Sequence, residues 1–242
     1  MSTEIDSDGQ GKGDWAAPIA RENLGDSAYE ALREALMRGR LRPGERLQLR
    51  PTSARLGISA TPMREAILRL ASKDLLTLDG RGTAVVPHLT ERELLEIRDI
   101  RLDLEGRAAR MAAERIDAEG IDMLARLQEE LEAGCAADDF PSAIQRNTEF
   151  HLALCRFAGM PILADIVGDL WVRCGPVLSH LYDGGGPDWD EHPHDTLIDA
   201  LRAGDGAAAE EAIRYDITYG GKGLLDYVCK TDARGEAPCG AE

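Results

Sequence analysis

Residues 57–70, Gly57-Ile58-Ser59-Ala60-Thr61-Pro62-Met63-Arg64-Glu65-Ala66-Ile67-Leu68-Arg69-Leu70, join a glycine turn to a helix with a marked start and two unlike faces. Glycine enters left-handed turn conformations that strain other residues. Thr61 followed by Pro62 reads as an N-cap and a first helical position, where proline gives up no helical hydrogen bond. Beyond that cap Met63, Ile67, Leu70 and Asp74 fall one above another, the first three forming an apolar stripe, while Arg64 points about 100° away from it. Such a helix buries one face and leaves the other free. It fits the major groove of DNA, where an arginine near the helix start makes two hydrogen bonds to guanine, so Arg64 is the leading specificity residue. An ordinary capped surface helix would carry the same cap and stripe, and the flanking sequence decides between the two.

Upstream, residues 27–41 place Tyr29, Leu32 and Leu36 at helical spacing and end at Gly39, after which Arg42-Pro43-Gly44-Glu45 reads as a turn. Residues 51–56 form a short second helix, which makes Gly57 the turn of a helix-turn-helix and sets Arg50 where it reaches phosphate. Downstream, Leu76 and Leu78 alternate with polar residues, Asp79-Gly80-Arg81-Gly82 is a turn, and residues 83–86 resume extended character. That is a hairpin, or wing, tipped by Arg81.

Charge is divided in the same way. Residues 21–90 hold 12 Lys/Arg against 8 Asp/Glu, net +4, and residues 1–20 are net −3, so of the chain's −16 the remainder carries −17. A basic module on a strongly acidic one suits a protein that meets DNA with one end only, because phosphate attraction dominates affinity. The 242 residues allow two domains of ordinary size, and a hydrophobic content of 43% is enough for real cores. Cys135, Cys155, Cys174, Cys229 and Cys239 form no CxxC pair, and neither a signal peptide nor a long uncharged apolar run is present. A reduced, soluble, cytoplasmic protein with no membrane partner is expected. Residues 1–20 and 231–242 lack periodicity and read as disordered tails.

From residue 90 onward the pattern is helical. Thr90 and Glu93 make a capping box that opens a helix to about Arg115 and puts a domain boundary near residue 89. Residues 121–133, 143–158, 162–181 with a kink at Pro176, 194–203 and 207–229 continue with 3.6-residue apolar periodicity. In the first of these helices the stripe is Leu94, Ile97, Arg101, Leu104, Ala108 and Met111, which sets a permanent cation in an apolar seam. Its partner is either a carboxylate such as Asp99 or Glu105 on an adjacent helix, or the carboxylate of a bound small molecule. Asn147 and His151 share a face with Phe150, Leu154 and Ala158; His194 shares one with Leu197, Ile198 and Leu201; Asp216 shares one with Ala209, Ala212 and Ile213. Taken singly, each is an ordinary hydrogen-bonded core residue. Together, imidazoles and oxygen donors converging from several helices are what a divalent ion accepts. Arg173 is a second choice for an effector contact, against the simpler reading of a solvated surface arginine. His180 and His192 are spares, His192 replacing His194 if the register slips.

Residues 25–87 resemble the winged helix of the GntR family of bacterial transcription regulators, on Pro43-Gly44, Leu56-Gly57, Thr61-Pro62, Arg64-Glu65-Ala66 and Gly80-Arg81-Gly82-Thr83. The DNA contacts expected are Arg50, Ser59, Thr61, Arg64, Arg81 and Gly82. The family commonly has arginine between this serine and threonine, where the chain has Ala60. Residues 90–228 resemble the FCD-type ligand-binding domain of the FadR subfamily, through Arg101 with Leu104-Glu105-Gly106, Asn147-Thr148-Glu149-Phe150-His151, Ala158-Gly159, and the run from His194 through Leu197 to Asp205. Many such domains hold a divalent metal with one aspartate and three histidines. Those positions are Asn147, His151, His194 and Asp216 here, the carboxylate having moved from 147 to 216, and the resemblance implies one zinc- or nickel-like ion per chain. It also implies that Arg101 helps to hold an organic-acid effector.

The fold expected is mostly α: a winged helix-turn-helix at 21–89 followed by an antiparallel all-helical bundle at 90–230. The function expected is a homodimeric regulator, a repressor, that sits on a double-stranded DNA operator and responds to a small carboxylate. One rival is a constitutive DNA-binding dimer with a structural polar core. The other is a metal-dependent enzyme using His151, His194 and Asp216, for which no general base or nucleophile stands out.

Overall fold

The computed structural model describes residues 24–181 and 192–233, so the expected N-terminal tail, the loop Asp183-Gly184-Gly185-Gly186-Pro187 and residues 234–242 lie outside the described residues. Helix α1 (Leu24–Met37) buries Tyr29, Leu32 and Leu36 at the predicted spacing and ends in a turn with Gly39 at φ +64°. Helix α2 (Leu49–Arg55) and helix α3 (Ala60–Ala71) flank Gly57, whose φ of +67° is the left-handed conformation the turn requires. The expected cap on α3 shifts by two residues. Ser59 is the N-cap, with extended backbone, and Thr61-Pro62 lie inside the first turn, where proline still removes no helical bond. Asp74 lies past the helix end, at φ +57°, and so leaves the stripe, while Met63, Ala66, Ile67 and Leu70 are buried.

The wing is the antiparallel pair β2 (Thr77–Leu78) and β3 (Ala84–Val85), and a third strand, β1 (Arg46–Leu47), completes a sheet of order β1-β3-β2. This edge strand was not expected. Two residues have no period to read, and β1 exists because Gly44 N–H and Val86 N–H donate to Val86 O and Glu45 O beside it. At the wing tip the Asp79 carboxylate accepts from the backbone N–H of Arg81 at 2.9 Å and of Thr83 at 2.8 Å, and it pairs with Arg46 on β1. The Thr83 bond first, then that of Arg81, outweighs its slight desolvation and keeps the carboxyl below its ordinary pKa.

The capping box opens α4 (Glu91–Ala113) as read: Thr90 Oγ1 accepts from Glu93 N–H, and Thr90 N–H donates to the Glu93 carboxylate at 2.9 Å. Then come α5 (Ala118–Ala136), α6 (Phe140–Phe157), α7 (Pro161–Leu178, with Pro176 two residues from its end), α8 (Pro193–Ala203), α9 (Gly206–Gly220) and α10 (Lys222–Ala233). Two expectations fail here. The single helix over 207–229 is broken at Gly220-Gly221, since consecutive glycines add backbone entropy that apolar periodicity across the break conceals. The expected tail at 231 begins as helix, α10 continuing to Ala233. α4 packs along α9, α5 along α6, and α8 against α9. No helix among the described residues is long and apolar enough to cross a membrane.

α7 joins the halves. Its Val172 is buried in the N-terminal core with Leu32, Leu36 and Leu70, and one residue earlier Trp171 is buried in the helical half. Asp169 takes Arg33 of α1 at 3.2 Å and Lys73 at 3.1 Å. Arg173 Nη2 donates to Lys73 O at 2.7 Å in an exposed contact, so this surface arginine also ties α7 to the N-terminal half. Gly175 lies so close to α1 that a Cβ there would overlap the Leu36 carbonyl oxygen.

In most helix interiors Gly→Ala stabilises by about 0.5–1 kcal/mol. At Gly175 the sign reverses. Gly175→Ala is expected to cost about 1–3 kcal/mol through overpacking against α1, read from the denaturant midpoint; a more stable variant would mean that α1 and α7 separate without penalty.

Candidate DNA face and polar centre

The cations of the N-terminal half sort into two groups. Arg33, Arg38, Arg46, Arg69 and Lys73 are each in an ion pair, and Arg69 also stacks on Tyr29 at 4.2 Å. Arg40, Arg42, Arg50, Arg55, Arg64 and Arg81 are exposed and carry no ion pair among the described residues, and three of these six, Arg50, Arg64 and Arg81, are the cations expected to meet DNA. Arg50 lies in the first turn of α2, Arg64 in α3, and Arg81 at the wing tip beside Gly82, whose φ is +75°. Ser59 and Thr61 are exposed at the start of α3, where no side chain caps the first N–H groups. A phosphate oxygen would find those donors and a favourable helix dipole.

In the helical half, five side chains form one buried chain of contacts. Arg101 Nε donates to Glu105 Oε1 at 2.5 Å, and the other oxygen of Glu105 is 2.6 Å from His151 Nδ1. His151 Nε2 lies 3.1 Å from Asp216 Oδ2, and His194 Nε2 lies 3.8 Å from the same oxygen. The Arg101 guanidinium stacks on Trp171 at 4.0 Å, and His194 stacks on Phe150 at 3.8 Å. Glu105 is 0% and His151 1% exposed, so neither has water to fall back on.

Burial alone would raise the Glu105 pKa, but the charge of Arg101, then that of His151, holds the carboxyl down at about 2. Burial alone would lower the His151 pKa; Glu105, with Asp216 behind it, reverses that and raises it above its ordinary value. Asp216 stays well below its ordinary range against its burial because two imidazoles, His194 and His151, face it. His194 goes the other way, desolvation favouring its neutral form. Arg101 and the two imidazoles thus face the carboxylates of Glu105 and Asp216 inside the bundle.

The donor set suits a divalent ion. One ligand atom each from His151, His194 and Asp216 falls within 4.8 Å of the others. Each imidazole is held from behind, His151 by Glu105 and His194 Nδ1 by Gln128 Oε1 at 2.8 Å, which directs both Nε2 atoms toward Asp216. Such outer contacts fix tautomer and orientation around metals. His194 Nε2 is buried without a hydrogen-bond partner, as is Trp171 Nε1, and an orphaned buried polar atom calls for an explanation such as an absent ligand. Asn147, one turn ahead of His151 on α6, is half-buried and makes no hydrogen bond among the described residues. His192 caps α8 by accepting from His194 N–H, so the register holds; His180 stacks on Tyr227 at 3.6 Å.

Sequence reasoning understated two residues. Glu105 was expected on an adjacent helix, yet it is the i+4 neighbour of Arg101 on α4, and Asp99 pairs instead with exposed Arg98. The reason is phase: a 3,4 repeat drifts about 20° per heptad on a straight helix, so over α4 the buried seam moves from Leu104 and Met111 to Glu105 and Ala112. Gln128 was missed, although it interrupts the stripe of Leu124 and Leu131 on α5 as Arg101 interrupts that of α4.

Residues 24–86 match the bacterial regulatory proteins of the gntR family, and residues 96–218 match the FCD domain. The HTH-type transcriptional regulator McbR of Escherichia coli (strain K12) is 37% identical over 177 residues, 72% of this chain and 80% of McbR. The HTH-type transcriptional repressor GlaR of the same strain is 28% identical over 201 residues, covering 77% of this chain and 89% of GlaR. The solved structure of E. coli McbR/YncC superposes with a TM-score of 0.75 at 31% identity, over 88% of this chain and 98% of that one.

Glu105→Gln keeps the shape of the side chain and removes its charge, leaving the Arg101 guanidinium without its paired carboxylate and His151 with Asp216 alone. A loss of about 3–5 kcal/mol in guanidinium unfolding is expected, whereas Asp99→Asn, which breaks only the exposed pair with Arg98, leaves the midpoint unchanged. Equal midpoints for all three proteins would remove Glu105 from its place at the centre of the cluster.

Proposed function

Because the chain belongs to the GntR family of bacterial regulatory proteins and carries an FCD domain, it is a DNA-binding transcription regulator and not an enzyme, and we propose that it is a homodimeric repressor of the FadR type, released from its operator by a small organic acid. The observation that carries this reading is the position of Trp171 and Val172. One packs on Arg101 and His151 in the polar centre, the next completes the core of the DNA-binding half, and a ligand that shifts the first moves the second. The repressor sign is supported by the similarity to GlaR. The protein acts in the cytoplasm, on double-stranded DNA, with two copies of Arg50, Ser59, Thr61, Arg64, Arg81 and Gly82 meeting a pseudo-palindromic site.

The polar centre fits one zinc- or nickel-like ion per chain, which His151 Nε2, His194 Nε2 and the Asp216 carboxylate would hold, with Asn147 beside them as a weak fourth donor. Such an ion, when bound, supplies a Lewis-acidic point that an effector carboxylate can occupy. The protein's own part is to keep both imidazoles oriented through Glu105 and Gln128 and to offer the Arg101 guanidinium to the acid. A second reading, a constitutive regulator with a structural polar core, has one observation in its favour: Arg101, Glu105, His151 and Asp216 already pair with one another.

Arg64→Ala is expected to cost about 1–3 kcal/mol on duplexes selected by the wild-type protein from a random library, and to relax the preference at one base pair per half-site. Unchanged affinity and preference would take Arg64 out of base recognition. Elemental analysis of tag-free protein purified without chelator is expected to give about one divalent ion per chain, lost in the His151→Ala, His194→Ala double variant. An equal content in both would place any metal elsewhere, and none in either would leave the histidines structural.

A further inference from the structure

Behind the polar centre lies a cavity of about 200 Å³ between α4, α7, α9 and α10. Its wall is formed by Leu94, Ile97, Ile217, Leu224 and Leu225. The charged residues lining it are Arg98, Arg101 and Lys222, and no acidic side chain among the described residues joins them. Thr218 is there too, but its hydroxyl already donates to Arg214 O at 2.7 Å. Arg101 uses only Nε, on Glu105; its two terminal nitrogens have no hydrogen-bond partner among the described residues, and 11% of the side chain stays accessible.

We propose that this cavity is the specificity pocket for the effector, and that it selects a monocarboxylate carried on an apolar body of about the size of a benzene ring. The inference rests on the reading of Arg101 as the effector's anchor. A guanidinium with free terminal N–H groups at one end of an apolar chamber binds a carboxylate as a fork and leaves the rest of the ligand against hydrocarbon. An apolar cavity of about 150 Å³ suffices for benzene, which sets the scale. The same wall discriminates against polyhydroxylated acids, because each hydroxyl set against Leu94, Ile97, Ile217, Leu224 and Leu225 would leave water without a partner. Of the cations lining the cavity, Arg98 is paired with Asp99, and Lys222 is left to favour entry of an anion.

The test uses the full-length protein and four probes: sodium phenylacetate, sodium hexanoate, sodium gluconate and the neutral 2-phenylethanol. By calorimetric titration the first two are expected to bind about tenfold or more tightly than the other two, and to raise the melting temperature. Leu95→Glu adds an anion at a half-buried position on the cavity wall, away from the charged core, and is expected to weaken phenylacetate about tenfold or more with helix content unchanged. Binding of gluconate with phenylacetate silent would overturn the proposed class while leaving an acid effector in place. Binding of none of the acids would overturn both readings. Phenylacetate affinity unchanged in a folded Leu95→Glu variant would move the ligand out of this cavity.

Discussion

A carboxylate without access to water holds the helical half of this protein together. Glu105 is bracketed by a guanidinium on its own helix and an imidazole on α6, and that imidazole reaches on to Asp216 on α9. Removing any one of these groups would strand another in a medium that solvates charge poorly. The three helices that carry them are therefore fixed in register by electrostatics as well as by packing. The arrangement also explains why two of the four positions at which many FCD domains place metal ligands can differ here without loss of a coherent centre. With Asn147 uncharged, the carboxylate facing both imidazoles is that of Asp216.

The DNA-binding half is organised by a different economy of charge. Five of its cations are engaged in ion pairs, several of them with the partner helix α7 or within the wing, and those residues hold the module's shape. Arg50, Arg64 and Arg81 stand outside these pairs, on three separate elements. Cations that stabilise nothing internally keep their full charge for phosphate and base edges, the interactions on which affinity and reading of sequence depend.

Much of this was legible in the residues. The turn glycines Gly39 and Gly57 at positive φ, the capping box at Thr90 and the apolar residues Tyr29, Leu32 and Leu36 of α1 and Met63, Ile67 and Leu70 of α3 are local signals, and each is where it was expected. What escaped reading has a common physical origin: it depends on something outside the window being read. The strand β1 exists only because β3 lies beside it. The α9–α10 break is hidden by periodicity that continues across Gly220-Gly221. The exchange of Leu104 for Glu105 in the seam of α4 follows from phase drift accumulated over its 23 residues. Arg101, His151, His194 and Asp216 were found as polar interruptions of apolar faces, and Gln128 carries the same signature. The bond from Arg173 escaped reading because its partner, the Lys73 carbonyl, belongs to the other half of the chain.

Val172 has one more implication. The hydrophobic centre of the winged helix is not closed by its own sequence; a side chain from α7 fills it, and Gly175 leaves the room for α1 to come that near. The DNA-binding half is thus not a self-sufficient building block. An exchange of such halves between related regulators would succeed only where the incoming one accepts the outgoing helix's contour, so reader and sensor are bound to diverge together rather than be shuffled freely.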